Sequence, residues 1–307
     1  MLGATRSPHD KRLALRAALA GDGLVRAPGA FNPLSARLIE DKGFEAVYIS
    51  GAVLSADLGL PDIGLTTLTE VAQRAGQIAR VTELPALVDA DTGFGEPMNA
   101  ARTVQILEDA GVAGLHIEDQ VNPKRCGHLD GKEVVGLDDA VRRIRAAVSG
   151  RRDDALLIMA RTDVRGIPDA QGGGLAAATD RARTLVDAGA DAIFPEAMAT
   201  LEEFAAIRAA VDVPILANMT EFGKSDLFTH EQLRDVGVDL VIHPVSLLRT
   251  AMGAAERALD TLVATGTLES EVPAMQTRAR LYELVDYAAY AAFDDSIHTF
   301  DLSHNRS

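Results

Sequence analysis

Asp89 and Asp91 stand two residues apart, a spacing that could hold a cation. If both lie in a strand they project to the same side, and two carboxylates there repel unless a positive charge lies between them. Hard oxygen donors of this kind suit Mg²⁺, which keeps several waters and takes one or two protein carboxylates plus substrate oxygens. A lone D-x-D more commonly caps a loop or pairs with a basic residue, but Glu118, near the end of the next apolar run, would reach the same place. His116 precedes Glu118 by two, and a His-x-Glu pair could ligate zinc. Only His243 stands at another matching position, so a histidine that orients its neighbours is the better reading of His116.

Lys124-Arg125-Cys126-Gly127-His128 places the only cysteine of the chain between two cations and a histidine. Such neighbours lower a thiol's pKa, and a thiol that hands over a proton near neutral pH needs that tuning. Gly127 lets the backbone approach a ligand closely. An incidental cysteine usually sits among apolar side chains, whereas these surroundings are charged. Arg161, Arg249 and Arg278 could each hold a carboxylate through paired hydrogen bonds, and Arg161 is the first choice because it ends an apolar run. Glu196, Asn218 and Thr220 complete a polar ring drawn from different runs.

The elements that must position these residues are short runs rich in Val, Ile and Leu: 24–28, 46–50, 86–91, 114–119, 156–162, 192–196, 214–218 and 240–244. Between them lie segments at helical spacing, among them 99–110, 138–148, 176–188 and 201–211, without internal Gly or Pro. Alternating strand and helix implies parallel strands joined by crossovers. Eight such units predict a closed (β/α)₈ barrel of TIM type, whose active site forms at the C-terminal ends of the strands. Ser50, Asp89, Asp91, Glu118, Asp119, Arg161, Asp163, Glu196, Asn218, Thr220 and His243 all stand at those ends. An open doubly wound sheet is the alternative, but no G-x-G-x-x-G follows the first run and no G-x-x-x-x-G-K-[ST] occurs. Gly172-Gly173-Gly174 reads as a flexible loop.

About sixty residues follow the eighth run, more than one closing helix needs. The expected organisation is a single barrel domain over 1–307, with 265–307 as a helical extension. Within it 275–293 reads as one surplus helix, whose stripe of Leu281, Leu284, Val285, Tyr287 and Ala288 calls for a partner surface, most simply in an oligomer.

The 307 residues are 47% hydrophobic and 24% charged, the balance of a folded globular chain. A formal net charge of -15 disfavours nucleic acid and anionic membranes as partners. An anionic substrate would therefore need Arg, Lys or a metal ion to overcome that field locally. One cysteine excludes an intramolecular disulfide. With no segment resembling a signal peptide or a membrane span, the expected location is the cytoplasm.

The motifs D-A-D-T-G-F-G, H-I-E-D-Q, K-R-C-G-H and A-N-M-T-E-F-G, in that order, resemble the methylisocitrate lyases of the isocitrate lyase and phosphoenolpyruvate mutase superfamily, and the resemblance spans nearly the whole chain. It implies Mg²⁺-dependent cleavage of a tricarboxylate, 2-methylisocitrate, into pyruvate and succinate, as in the methylcitrate cycle of propionate catabolism. Mn²⁺ is an alternative ion. It also implies a homotetramer whose terminal helix is swapped between subunits. Carried over by motif, Asp89 and Asp91 would hold the metal, supported by Glu118. Cys126 would protonate the departing succinate carbanion, with Gly127 and His128 beside it. Ser50, Gly51 and Ala52 would contact substrate, with Tyr48 and Asp62 close by, and Arg161, Glu196, Asn218, Thr220, Arg249 and Arg278 would complete the contacts. Tyr48, Arg161 and Glu196 are alternative bases for the substrate hydroxyl.

Phe194-Pro195-Glu196 and Met219-Thr220-Glu221 stand where isocitrate lyases resemble W-x-E and a Cys-Ser-Pro stretch, which leaves room for an extra methyl. Isocitrate lyase, an oxaloacetate hydrolase, a phosphonopyruvate-type mutase and a non-catalytic dicarboxylate-binding protein are the rivals. Ala52, His243 and a long 164–175 loop depart from the family pattern.

Overall fold

The computed structural model describes residues 3–125, 127 and 131–299. Among them are eight parallel strands, one on each expected run: β1 Val25–Pro28, β2 Val47–Ile49, β3 Ala86–Asp89, β4 Gly114–Glu118, β5 Leu157–Thr162, β6 Ala192–Pro195, β7 Leu216–Asn218 and β8 Leu240–His243. The ladders run β1-β8-β7 and β2-β3-β4-β5-β6. Bridges from Gly29 to Tyr48 and from Ile193 to Ile215 join the two sheets at both edges, so the barrel closes.

Alternation along the strands divides the core in two. Tyr48, Leu87, Leu157, Met159, Phe194, Leu216 and Ile242 fill the barrel interior together with Leu15 and Leu19. Ile49, Val88, Ile117, Ile158 and Ile193 point outward and pack on Val71, Ile78, Val104, Leu107, Ile144 and Ile207 of the surrounding helices. Each such large side chain contributes about 1.5–3 kcal/mol on burial.

Leu15 and Leu19 come from a helix the run pattern did not anticipate, Pro8–Leu19, capped by the Ser7 side chain with proline in its first turn. It closes the floor of the barrel. Lys11 Nζ donates to the carbonyls of Ala79 and Thr82 at 2.8 and 2.6 Å, Arg12 Nε to Val112 at 3.0 Å, and Arg16 Nε to Ala155 at 2.8 Å. Cationic side chains thus satisfy carbonyls of the loops that feed β3, β4 and β5, where a buried unpaired carbonyl would be costly.

Three expectations change. Run 86–91 is strand only to Asp89, and Asp91 sits at φ 45, so strand alternation is not what aligns the two aspartates. Gly172-Gly173-Gly174 is a packed turn leading into the helix Gly174–Asp187: a Cβ on Gly173 would lie 2.0 Å from the Ile167 carbonyl oxygen. The single helix over 275–293 is two, Arg278–Leu284 and Tyr287–His298. The break falls at Asp286, whose φ of 55 ends the first helix in a left-handed turn that Asp tolerates better than most residues. The first of the two is held by an Arg280–Asp41 ion pair and by Arg37 donating to the Leu284 carbonyl at 3.1 Å. Tyr287, Tyr290, Phe293 and Ile297 of the second stay exposed, and the preceding helix Ser246–Thr265 buries none of its residues.

Candidate active site

The C-terminal ends of the strands surround a cleft of about 240 Å³ lined by Tyr48, Ser50, Ala52, Asp62, Asp89, Lys124, Gly127, Arg161, Glu196, Asn218, Thr220 and Arg249, with Glu221 to Gly223 and Pro244 to Val245 at its edge. One side of it is carboxylate. The Asp89 Oδ1 accepts from the Asp91 amide at 3.0 Å and its Oδ2 from the Gly51 amide at 3.2 Å. The left-handed turn at Asp91 brings its carboxylate back beside Asp89, so that a Cβ on Gly51 would meet Asp89 Oδ2 at 3.1 Å and Asp91 Oδ1 at 3.3 Å. Gly51 is needed here for close approach, since any side chain would fill the space both carboxylates face.

Lys124 enters the same group. Its Nζ lies 2.5 Å from Asp62 Oδ1 and forms an ion pair with Asp91 Oδ1 at 2.8 Å. Burial alone would lower the lysine pKa, but Asp91 and the other nearby carboxylates outweigh it and push it well above the usual range. Burial raises Asp91 to about 6, with Lys124 opposing the shift and Asp89 adding to it. At Asp89 burial also acts upward, but His116, Lys124 and Arg161 prevail and hold the carboxyl below its ordinary value. The sequence assigns Lys124 to tuning the thiol; the structure instead commits its charge to Asp62 and Asp91, because a long aliphatic stem reaches past the loop to the nearest buried anions.

The donor set fits a hard divalent ion. Asp89 and Asp91 converge at Gly51, and the buried Glu118 Oε1 has no hydrogen-bond partner. Among the described residues no three His, Cys, Asp or Glu side chains enclose a metal position; Mg²⁺ commonly takes only one or two protein carboxylates, with water and substrate oxygens completing its shell. His116 is not a ligand in this arrangement. It is fully buried, its Nε2 lies 2.7 Å from the Tyr48 hydroxyl, and its Nδ1 is 3.8 Å from Asp89. Burial lowers its pKa to about 4, so a neutral ring stacks on Tyr48 and meets Phe194 edge-on.

Opposite the carboxylates lies Arg161. Its guanidinium is 3.0 Å from Asp163, 3.2 Å from Glu118 and 3.5 Å from Glu196, and stands 5.0 Å over the Phe194 ring. Burial would lower its pKa, but Asp163, Glu118 and Glu196 push it well above normal. Burial raises Glu118 well above the carboxylate range despite Arg161. Asn218 donates to both oxygens of Glu196 at 3.3 Å. At the rim Arg249 donates to Thr220 Oγ1 at 3.1 Å and to the Glu221 carbonyl at 2.7 Å. Ser50 is buried where β2 passes into the helix Gly51–Asp57.

Of the residues selected from sequence, Tyr48, Ser50, Ala52, Asp62, Asp89, Gly127, Arg161, Glu196, Asn218, Thr220 and Arg249 line this cleft, with Gly51, Asp91 and Glu118 bonded to or facing its walls. Arg278 does not line it and is exposed at the start of its helix. Cys126 and His128 lie outside the described residues. Sequence reasoning missed Lys132, whose buried Nζ donates to Asp163 Oδ1 at 3.0 Å and to the Gly127 carbonyl at 2.5 Å. A lysine six residues past the cysteine carries no pattern that reveals a buried partner.

Gly127 is pressed against the arginine cluster: an added Cβ would lie 2.5 Å from Arg161 Nη2 and from Glu196 Cγ. Gly127→Ala is expected to lower kcat/KM by about 10²-fold, the cost of misplacing reacting groups by an ångström. The measurement is steady-state kinetics beside a thermal melt. A variant with native-like turnover would show that this contact does not set the position of the loop.

Residues 15–263 match the family model described as Phosphoenolpyruvate phosphomutase. A relative from Corynebacterium glutamicum, named "Probable 2-methylisocitrate lyase 2", is 60% identical over 294 residues, covering 96% of this chain and 94% of the relative. Among solved structures, an oxaloacetate acetylhydrolase in complex with the inhibitor 3,3-difluorooxalacetate superposes with a TM-score of 0.88 at 34% identity, over 96% of this chain and 100% of that one. A phosphonopyruvate hydrolase in complex with oxalate and Mg²⁺ superposes with a TM-score of 0.83 at 28% identity, over 93% and 98%.

Proposed function

Since the chain belongs to the phosphoenolpyruvate phosphomutase family, we propose that its cleft is the active site of a carbon–carbon lyase that splits 2-methylisocitrate into pyruvate and succinate. The observation that carries this reading is the 60% identity, over 96% of the chain, to a relative bearing that activity's name. The convergence of a carboxylate wall and a buried arginine in one cleft supports it. Oxaloacetate hydrolysis is the second reading, favoured by more distant matches at 32–34% identity.

In the reaction the substrate hydroxyl loses its proton and the bond to the neighbouring carbon breaks. The carbinol carbon becomes the keto carbon of pyruvate, and the electron pair left on the succinate fragment takes up a proton. Asp89 and Asp91 would hold Mg²⁺, with Glu118 behind them, and the ion when bound supplies Lewis-acid polarisation and neutralises substrate oxygens. Mg²⁺ in a relative solved with oxalate supports that choice of ion. Arg161 and Arg249 offer carboxylate-binding forks at opposite sides of the cleft, and Ser50, Asn218 and Thr220 orient the remaining oxygens. Among the three alternative bases, burial together with Asp89 pushes the Tyr48 phenol well above its normal range, and Asp163, Glu118 and Glu196 keep Arg161 charged. Glu196, held by Asn218 at 3.3 Å and 3.5 Å from Arg161, is the base this proposal takes. Cys126, from its neighbours in sequence, is the acid that quenches the succinate fragment, with His128 beside it.

One domain over 1–307, cytoplasmic and assembled as a tetramer that exchanges its C-terminal helices, completes the proposal. It is supported by the exposed apolar residues Leu259, Val263, Tyr287, Phe293 and Ile297 and by the absence, among the described residues, of a helix long and apolar enough to cross a membrane.

The test supplies Mg²⁺-loaded protein with 2-methylisocitrate, isocitrate and oxaloacetate in parallel. Pyruvate release is expected to exceed glyoxylate release by about 10–200-fold, the discrimination one methyl group in an apolar pocket provides. Glyoxylate outpacing pyruvate, or oxalate from oxaloacetate exceeding both, would replace this substrate with a rival.

A further inference from the structure

At the end of β8 the ring of His243 faces that of His230, the first residue of the helix His230–Asp235. Their Nε2 atoms are 3.1 Å apart and the ring planes are inclined at 56°. The two nitrogens sit at the spacing of two ligands on one ion. Imidazole nitrogens about 2.0–2.1 Å from a metal stand roughly 2.9 Å apart at a right angle and roughly 3.4 Å apart at the tetrahedral angle.

Nε2 of His243 is turned toward Nε2 of His230, and a neutral imidazole nitrogen is the commonest side-chain metal ligand. Both rings are half-buried, which leaves an approach from solvent. The Glu221 carboxylate acts on His243 electrostatically, and the net charge of -15 concentrates cations around the molecule.

We propose that His230 and His243 form a second metal site, separate from the carboxylate wall, which takes a borderline transition ion such as Zn²⁺, Ni²⁺ or Cu²⁺ through two imidazole Nε2 atoms and water. Mg²⁺ does not compete there, because nitrogen donors suit the transition metals and oxygen donors suit magnesium. An ion at this site ties the end of β8 to the first turn of the helix that precedes it, His230–Asp235. The site does not depend on the lyase reading.

The experiment is a calorimetric Zn²⁺ titration of the full chain in excess Mg²⁺, which occupies the carboxylates, for the wild type and for His230→Gln and His243→Gln. The expected result is one Zn²⁺ equivalent per chain in the wild type, weakened about tenfold or more in each variant, and a Zn²⁺-dependent rise in melting temperature that both variants lack. Melts without zinc show that the variants fold; His230, at a helix start, supplies the milder change should His243→Gln prove unstable. Zn²⁺ bound equally by the wild type and both variants, Zn²⁺ displaced fully by Mg²⁺, or no Zn²⁺ bound by the wild type would each overturn the site.

Discussion

Arg161→Ala is expected to cost about 3–5 kcal/mol of stability, the penalty for removing one partner of a buried ion pair, and to abolish turnover. Glu118, Asp163 and Glu196 all depend on this guanidinium, within 3.0 to 3.5 Å of it. Asp163 keeps Lys132 at 3.0 Å, but among the described residues no other cation contacts Glu118. A domain's whole stability is about 5–15 kcal/mol, so the variant should sit near the edge of folding. Arg161→Lys separates the two effects. It keeps the positive charge and should recover most of the stability, while losing the planar fork that would grip a substrate carboxylate. Chemical denaturation of both variants, with kinetics on the lysine form, is the measurement. If the alanine variant melts like the wild type, the cluster is not held together by this arginine.

Cys126→Ser should reduce kcat by about 10²–10⁴-fold, the range a positioned general acid supplies, while the affinity for substrate stays near that of the wild type. The reason is proton affinity: a thiol flanked by Arg125 and His128 can be tuned toward neutrality, and an alkyl hydroxyl cannot. Calorimetry of substrate binding beside steady-state kinetics separates the two quantities. Native turnover would remove the cysteine from the mechanism and leave the proton to another donor. A parallel loss of binding and turnover would make Cys126 part of the binding surface instead.

The two metal hypotheses are independent. Disabling the histidine pair should leave lyase activity in Mg²⁺ intact, since neither His230 nor His243 lines the cleft.

Composition and local pattern determined a good deal on their own. Each of the eight apolar runs became a strand, and helical segments such as 138–148 became helices, here Leu137–Gly150. The reason is that hydrophobic period and chain punctuation act over a few residues, and eight alternating units have one common way to close. Because a barrel strand delivers its last residues to one face, Ser50, Asp89, Arg161, Glu196 and Asn218 could be grouped around one mouth before any contact was known.

Tertiary structure alone decided which charges meet. Lys124 turns to Asp62 and Asp91, Lys132 reaches the Gly127 carbonyl and Asp163, and His230 comes to face His243. The left-handed turn at Asp91 and the break at Asp286 were equally hidden. The physical cause is the same throughout. Pairing of buried polar groups depends on distances across the barrel and on the cost of leaving a charge without a partner, and neither is encoded in the spacing of residues along the chain.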